Sequence, residues 1–211
     1  MERQYVIWDF NGTILDDVAL GIASANELLL RHGLAPIRDV DHYHSVFGFP
    51  IIDYYRRLGF DFSKIDYTVL ANEWVEIYNR LSPMATLRGG VIEVITELKE
   101  RGCHQSILSM TEETMLRRQL SELGIFSLFD EIYGRSDIYA SSKLLLAEKW
   151  RCDHPDVRPL YVGDTTHDAE SADVIGATCL MLLGGHESEA VLKRTGFPLL
   201  HEPSELFHYL R

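Results

Sequence analysis

An α/β three-layer sandwich with a mainly parallel sheet, plus one inserted helical lid, is the architecture that the sequence predicts. Three observations lead there. Short apolar runs ending at turn residues alternate with amphipathic stretches of helical period, the rhythm of strands joined by crossover helices. A block at 16–84 interrupts that rhythm after the first strand and reads as helices only. The chain has 211 residues, 46% hydrophobic and 25% charged, which fits one folded domain with a modest insert. The expected division is therefore a core of 1–15 and 85–211 and a lid of 16–84.

The first apolar run, Tyr5-Val6-Ile7-Trp8, ends at Asp9, and Asn11-Gly12 supplies turn chemistry, so it reads as a buried strand entering a loop. Asp16 to Arg31 carries Val18, Ile22, Ala25, Leu28 and Leu29 on one helical face, and His32-Gly33 and Pro36 end it. Within 37–84 two further amphipathic segments stand out. Ile51-Ile52, Tyr54-Tyr55 and Leu58 lie between Pro50 and Gly59; Val69, Trp74, Ile77, Tyr78 and Leu81 run to Pro83. Helices follow at Val91–Leu98, Glu112–Leu123, Leu144–Trp150 and Asp168–Ile175. Strands are expected at Ser106–Ser109, Glu131–Tyr133, Leu160–Val162 and Thr178–Leu183.

Charge narrows the partners. Lys plus Arg is 20 against 32 for Asp plus Glu, a formal net charge of −12. That argues against binding nucleic acid through its phosphates and against docking on an anionic membrane. No segment approaches the roughly 20 apolar residues of a membrane span, and no secretory signal opens the chain. Cys103, Cys152 and Cys179 are odd in number and widely spaced, without a CxxC pair, so they read as buried, inert thiols in a reducing cytoplasm.

In an open parallel sheet, ligands bind at the carboxyl ends of the strands. Just past those ends stand Asp9, Asn11 and Thr13, then Ser109 and Thr111, then Asp164 and Asp168; Lys143 opens a helix nearby. Carboxylates gathered at one point repel unless a cation sits among them, and hard oxygen ligands with open positions suit Mg²⁺. A phosphoryl group needs a metal, a Lys and hydroxyl or N–H donors, and an Asp carboxylate can attack its phosphorus.

These residues carry a resemblance. Asp9-Phe10-Asn11-Gly12-Thr13-Ile14-Leu15-Asp16 resembles the DxDGTLxD signature of the haloacid dehalogenase-like superfamily, and Gly163-Asp164-Thr165-Thr166-His167-Asp168 resembles its GDxxxD motif. Ser109 and Lys143 match its Ser/Thr and Lys positions, although the prolines that often follow the Lys are missing. Arg88-Gly89-Gly90-Val91 and Leu98-Lys99-Glu100-Arg101-Gly102 are similar to the family's return from lid to core. The resemblance implies a Rossmann-like core with an inserted cap and a Mg²⁺-dependent phosphatase, phosphoglycolate phosphatase-like, acting on a small phosphorylated metabolite as a monomer or homodimer. It implies Asp9 as nucleophile and metal ligand. The Asn11 backbone carbonyl and Asp164 would be further ligands, with Asp168 orienting the metal or its waters. Ser109 and Lys143 would bind the phosphoryl group, and Thr13 would shape the phosphate-binding loop.

Asn11 departs from the pattern, because most phosphatases of this family carry Asp there to protonate the leaving oxygen. An amide cannot exchange a proton near neutral pH, and such help is typically worth about 10²–10⁴-fold. The expectation is a slow phosphatase, with His167 as a candidate substitute. A weakly catalytic phosphometabolite-binding or regulatory protein stays open. So does a phosphonatase or dehalogenase reaction, although Lys64, the one lid Lys, sits in no Schiff-base motif and a dehalogenase usually carries Tyr at this position.

Some lid features read either way. His42 and His44 look like ordinary polar residues and not metal ligands. Phe47-Gly48-Phe49-Pro50 is either a specificity loop or a plain turn. Arg56 and Arg57 either line the inner face or form a solvated helix face.

Overall fold

The computed structural model describes residues 4–135 and 142–210. In chain order the strands are β1 (Tyr5–Trp8), β2 (Leu15–Asp16), β3 (Thr86–Leu87), β4 (His104–Glu112), β5 (Glu131–Arg135), β6 (Leu160–Gly163), β7 (Thr178–Leu182) and β8 (Leu199–Leu200). The helices are α1 (Val18–Arg31), α2 (Val40–Val46), α3 (Ile51–Arg57), α4 (Tyr67–Leu81), α5 (Val91–Glu100), α6 (Glu113–Glu122), α7 (Lys143–Asp153), α8 (Thr166–Ile175) and α9 (Glu189–Leu192).

Six strands make one parallel sheet in the order β5-β4-β1-β6-β7-β8. Side chains alternate across it, as a pleat of period two requires. Val6, Trp8, Leu160, Val162, Leu180 and Leu182 turn to the face covered by α5 and α6. Ile7, Tyr161, Cys179 and Met181 turn to the opposite face, where α7 supplies Ala147 and Trp150 and α8 supplies Ala169, Ala172 and Ile175. The three-layer sandwich is thus borne out. Two large aromatics reach the interior with their polar tips satisfied: the Trp8 Nε1–H donates to Gln105 Oε1 at 3.1 Å, and that of Trp150 to Ser106 Oγ at 3.1 Å.

Helices α1 to α4 pack on a separate apolar cluster that includes Leu28, Leu29, Ile37, Tyr43, Leu70 and Ile77. The chain leaves for this block through β2 and returns through β3, which pair antiparallel with Leu15 opposite Leu87 and Asp16 opposite Thr86.

Several elements differ from the sequence expectation. The second large strand runs on through Glu112, with a register irregularity between Leu108 and Glu112, so Ser109 lies inside the strand and not at its end, and Thr111 lies within it and not past it. Helix α2 carries His42-Tyr43-His44 with Tyr43 alone buried, so it has no apolar stripe to announce it; the Asp39 carboxylate caps it by accepting from the His42 N–H at 2.7 Å. Cys103 and Cys179 are buried, but Cys152 is exposed, because Ala147 and Trp150 take the inward positions of α7. No helix among the described residues is long and apolar enough to cross a membrane.

Candidate active site

Asp9 stands at the carboxyl end of β1, its N–H donating to the Val162 carbonyl at 2.9 Å, so the pairing of β1 with β6 fixes its backbone. The chain then turns tightly, with Phe10 O accepting from Ile14 N at 2.9 Å and Leu15 N at 2.8 Å. Gly12 permits this turn through a left-handed φ of 75°, and a Cβ there would come within 2.2 Å of Asp164 Oδ2. Asp164 follows β6. Its Oδ1 accepts from Thr13 Oγ1 at 2.8 Å and its Oδ2 from the His186 N–H at 2.7 Å.

Asp168 is placed by a capping box at the start of α8. Its Oδ2 accepts from Thr165 N at 2.9 Å, Thr165 Oγ1 at 2.7 Å and Asp164 N at 3.1 Å. Gly163 lets the strand pass so close to it that a Cβ there would meet Asp168 Cβ at 2.3 Å. The remaining oxygen, Oδ1, accepts from Lys143 Nζ at 2.5 Å and from the Tyr161 hydroxyl at 3.2 Å. Lys143, at the first position of α7, also donates to Asp9 Oδ1. Sheet geometry therefore brings together Asp9, Asp164, Asp168 and Lys143, residues up to 159 positions apart, and carboxylate oxygens of the three acids lie within 4.8 Å of one another. Ser109 is buried in β4, its Oγ accepting from Thr111 N at 3.1 Å.

The electrostatics of this group are unbalanced. Burial, with Asp168 and Asp164 adding to it, drives Asp9 well above the usual carboxylate range even though Lys143 opposes the shift. Burial likewise raises Asp164, with Asp168 adding to it against His186. Burial disfavours the Lys143 cation, but Asp168 and Asp9 outweigh it and hold the ammonium charged. Three carboxylates against one ammonium leave an excess of negative charge, which a divalent cation would balance.

A seam of polar contacts joins the site to the helical block. The Asn11 amide donates to Asp17 Oδ2 at 2.8 Å and to the Tyr78 hydroxyl at 2.7 Å, and its carbonyl accepts from Thr111 Oγ1 at 2.8 Å. Asp17 also accepts from the Tyr78 hydroxyl at 2.6 Å, from Gly12 N at 2.8 Å and from His186 Nε2 at 3.1 Å. His186 Nδ1 lies 2.8 Å from the Tyr43 hydroxyl. Burial alone would lower the His186 pKa, but the Asp17 charge and hydrogen bond outweigh it and push it up to about 9. Asp17 moves the other way: burial would raise it, yet the His186 charge and the hydrogen bonds from His186, Tyr78 and Asn11 pull it below its ordinary value. Arg88 closes the group from below, donating to Leu183 O and to Gly12 O at 2.6 Å each.

Sequence reasoning did not single out Asp17, His186, Tyr78, Tyr161 or Arg88 as site residues. Arg88 stood in the family-like Arg88-Gly89-Gly90-Val91 segment without a role; Asp17 follows Asp16, and nothing local tells that Asp16 is exposed while Asp17 is 1% exposed. His167 does not meet Asn11; its ring stacks on Phe49 at 3.7 Å, and burial lowers its pKa. The Phe47–Pro50 loop lies against the core, with Phe47 5.4 Å from the His186 ring. His44 Nε2 sits 3.0 Å from Gly185 O, and His42 Nδ1 accepts from Arg38 N. Arg56 pairs with Asp53 and Arg57 donates to Val46 O, so both brace the block's outer turns; Lys64 is exposed beside Asp61.

Residues 6–182 match the haloacid dehalogenase-like hydrolase family, and the chain belongs to it. Among curated proteins it is 26% identical to a phosphoglycolate phosphatase from Synechococcus elongatus, over 96% of this chain and 95% of that protein. It is 28% identical to the tyrosine-protein kinase PtkA of Mycobacterium tuberculosis, over 91% of this chain but only 66% of that protein. Among solved structures it is similar to a haloacid dehalogenase-like hydrolase from Streptococcus pneumoniae, with a TM-score of 0.78 and 21% identity over 99% of both chains.

The Asp17–His186 pair makes a stability prediction for the chelator-treated protein. A folded-state pKa of about 9, against 6.5 for a free imidazole, means that the His186 contribution is complete below about pH 6.5. It is lost as the pH rises through about 9. Denaturant unfolding across that window should show stability falling in the wild type. The His186→Phe protein should show a flatter profile, and equal slopes would contradict the assignment.

Proposed function

We propose that the chain is a Mg²⁺-dependent phosphatase of small phosphate monoesters that works through an aspartyl-phosphate. In this reading 16–84 is a cap domain over a core domain of 1–15 and 85–211. The observation that carries it is the convergence of Asp9, Asp164, Asp168 and Lys143 at the carboxyl ends of β1 and β6. The phosphoglycolate phosphatase among the relatives supports a small phosphorylated acid as the substrate class.

The donor set fits a hard divalent cation: buried carboxylate oxygens in excess of the one ammonium that faces them. Asp9, Asp164 and the Asn11 backbone carbonyl would hold Mg²⁺, which would neutralise phosphate oxygens and draw charge off the phosphorus. The two oxygens of Asp168 already accept from Lys143, Tyr161, Thr165 and the Asp164 N–H, so Asp168 serves to orient Lys143 and the Asp164 loop. Thr13 gives its hydroxyl to Asp164 and shapes the phosphate-binding loop from behind.

In the reaction, a carboxylate oxygen of Asp9 bonds to phosphorus as the bond to the leaving oxygen breaks, and that oxygen takes up a proton. Lys143 and the Ser109 hydroxyl hold the phosphoryl oxygens. Water then cleaves the aspartyl-phosphate, releasing inorganic phosphate and restoring Asp9. Asp9, Ser109 and Asp164 are at most 6% exposed, so substrate entry requires the cap to lift, and its closure excludes bulk water. Asn11 cannot supply the leaving-group proton; its amide is committed to the seam with Asp17 and Tyr78.

Turnover of an aryl phosphate and of a panel of phosphorylated metabolites tests this reading. Activity should appear with Mg²⁺, vanish with EDTA and vanish in Asp9→Asn. Absence of turnover across the panel would overturn the enzyme reading in favour of a binding protein.

Asn11→Asp tests the missing acid. It should raise turnover of alkyl phosphates at saturating Mg²⁺ toward the ~10²–10⁴-fold typical of proton transfer. It should also lower stability, because a carboxylate would then face that of Asp17, where the amide now donates at 2.8 Å. Unchanged turnover in a folded Asn11→Asp protein would show that the acid is not what limits the rate.

A further inference from the structure

We propose that the amino end of the sheet carries a second metal site, for a borderline cation such as Zn²⁺, formed by His104, Glu131 and His154. His104 opens β4, Glu131 opens β5 and His154 follows the last residue of α7. Strand β1 runs from Tyr5, paired with His104, toward Asp9, so this cluster lies at the opposite end of the sheet from the carboxylate site. One ligand atom from each of the three residues lies within 4.8 Å of the others. The proposal is independent of the phosphatase reading.

Atom by atom, the cluster has the features of a ligand set. His154 Nδ1 lies 3.1 Å from the Trp150 carbonyl. A carbonyl oxygen only accepts, so Nδ1 carries the hydrogen and, in the neutral ring, Nε2 keeps its lone pair. Metal-binding histidines are held by such a bond from the other ring nitrogen. That Nε2 stands 3.4 Å from Glu131 Oε1, and His104 Nε2 stands 3.2 Å from Glu131 Oε2. A lone pair facing a carboxylate oxygen needs a proton or a cation between them.

His104 adds a second, separate observation. Both of its ring nitrogens are shut off from solvent and make no aligned hydrogen bond. Buried imidazole nitrogens in that state are costly; coordination would remove the cost at Nε2, while Nδ1 faces Asp130 Oδ2 at 3.9 Å.

The rings are also held in place. Tyr5 packs 4.8 Å from His104, and Trp150 stacks on His154 at 4.3 Å and 20°. Ser106 Oγ donates to Glu131 Oε2 at 3.1 Å, and the Tyr133 hydroxyl approaches it at 3.4 Å, orienting the carboxylate as outer partners do. The side chains of His104, His154 and Glu131 are 12%, 13% and 30% exposed, so the cluster lies just beneath the surface, with Glu131 its most open member. Two imidazoles select Zn²⁺ and its neighbours over Mg²⁺, and three protein ligands leave a position for water.

The full chain, stripped with chelator and then saturated with Mg²⁺, should be titrated with Zn²⁺ by calorimetry and with Co²⁺ by absorption. The wild type should take up about one equivalent of Zn²⁺ and show the ligand-field bands of nitrogen-bound Co²⁺. His104→Gln and His154→Gln should each lose both signals while keeping Mg²⁺-dependent behaviour and a cooperative melt. His154→Gln alone decides the matter if His104→Gln does not fold. No uptake in the presence of Mg²⁺, or equal uptake in wild type and variants, would overturn the proposal and leave Glu131 as a polar bridge between the two rings.

Discussion

The rest of the structure is arranged around one electrostatic constraint: three carboxylates held close together out of water, with a single lysine between two of them. Such a cluster is unfavourable by itself, since like charges repel more strongly in a low-dielectric interior. It persists because the positions are over-determined. β1 and β6 are paired, which sets Asp9 and Asp164 side by side; a capping box sets Asp168; the start of α7 sets Lys143. Glycines at 12 and 163 let the backbone pass the acids closely enough for this to happen. The sheet supplies the rigidity and the loops at its carboxyl end supply the chemistry.

The helical block is coupled to that cluster through a second charge pair. Asp17, at the N-cap position of α1, is bound by His186 from the loop after β7; the His186 N–H donates to Asp164 itself, and Asp17 accepts from Gly12 N in the loop after Asp9. Asn11 sits where these two systems meet. An acid at that position would face the Asp17 carboxylate; an amide satisfies Asp17, Tyr78 and Thr111 together. The same substitution that removes a proton donor thus provides a polar buckle between block and core. Under the phosphatase reading, slow chemistry and a firmly docked cap are two consequences of one side chain.

Much of this was legible in the sequence. Asp9 follows an apolar run directly, Asp164 follows one after a single glycine and Asp168 stands four residues further on, and strand ends are where a parallel sheet places ligands. Lys143 was legible only through its motif position, because a lone Lys at a helix start otherwise reads as solvated. Asp17–His186 was not legible at all. The partners are 169 residues apart, and neither has a local pattern that tells a buried charge from an exposed one. The His104, Glu131 and His154 cluster was hidden for the same reason: it exists only once β4, β5 and α7 are side by side. The short elements β2, β3 and β8 escaped too, since two residues carry no periodicity. The strand was expected to end at Ser109 because the hydroxyls of Ser109 and Thr111 look like loop chemistry, while backbone pairing carries β4 on to Glu112.

Under the phosphatase reading, the excess negative charge of Asp9, Asp164 and Asp168 would be balanced by a divalent cation. Thermal melting of the wild type and of Asp164→Asn, each with EDTA and with Mg²⁺, tests it most directly. Mg²⁺ should raise the wild-type melting temperature. Asp164→Asn should melt higher than the wild type in EDTA, because one repelling charge is gone, and should gain little from Mg²⁺. A wild type indifferent to Mg²⁺, or an Asp164→Asn protein that gains as much from it, would contradict the claim.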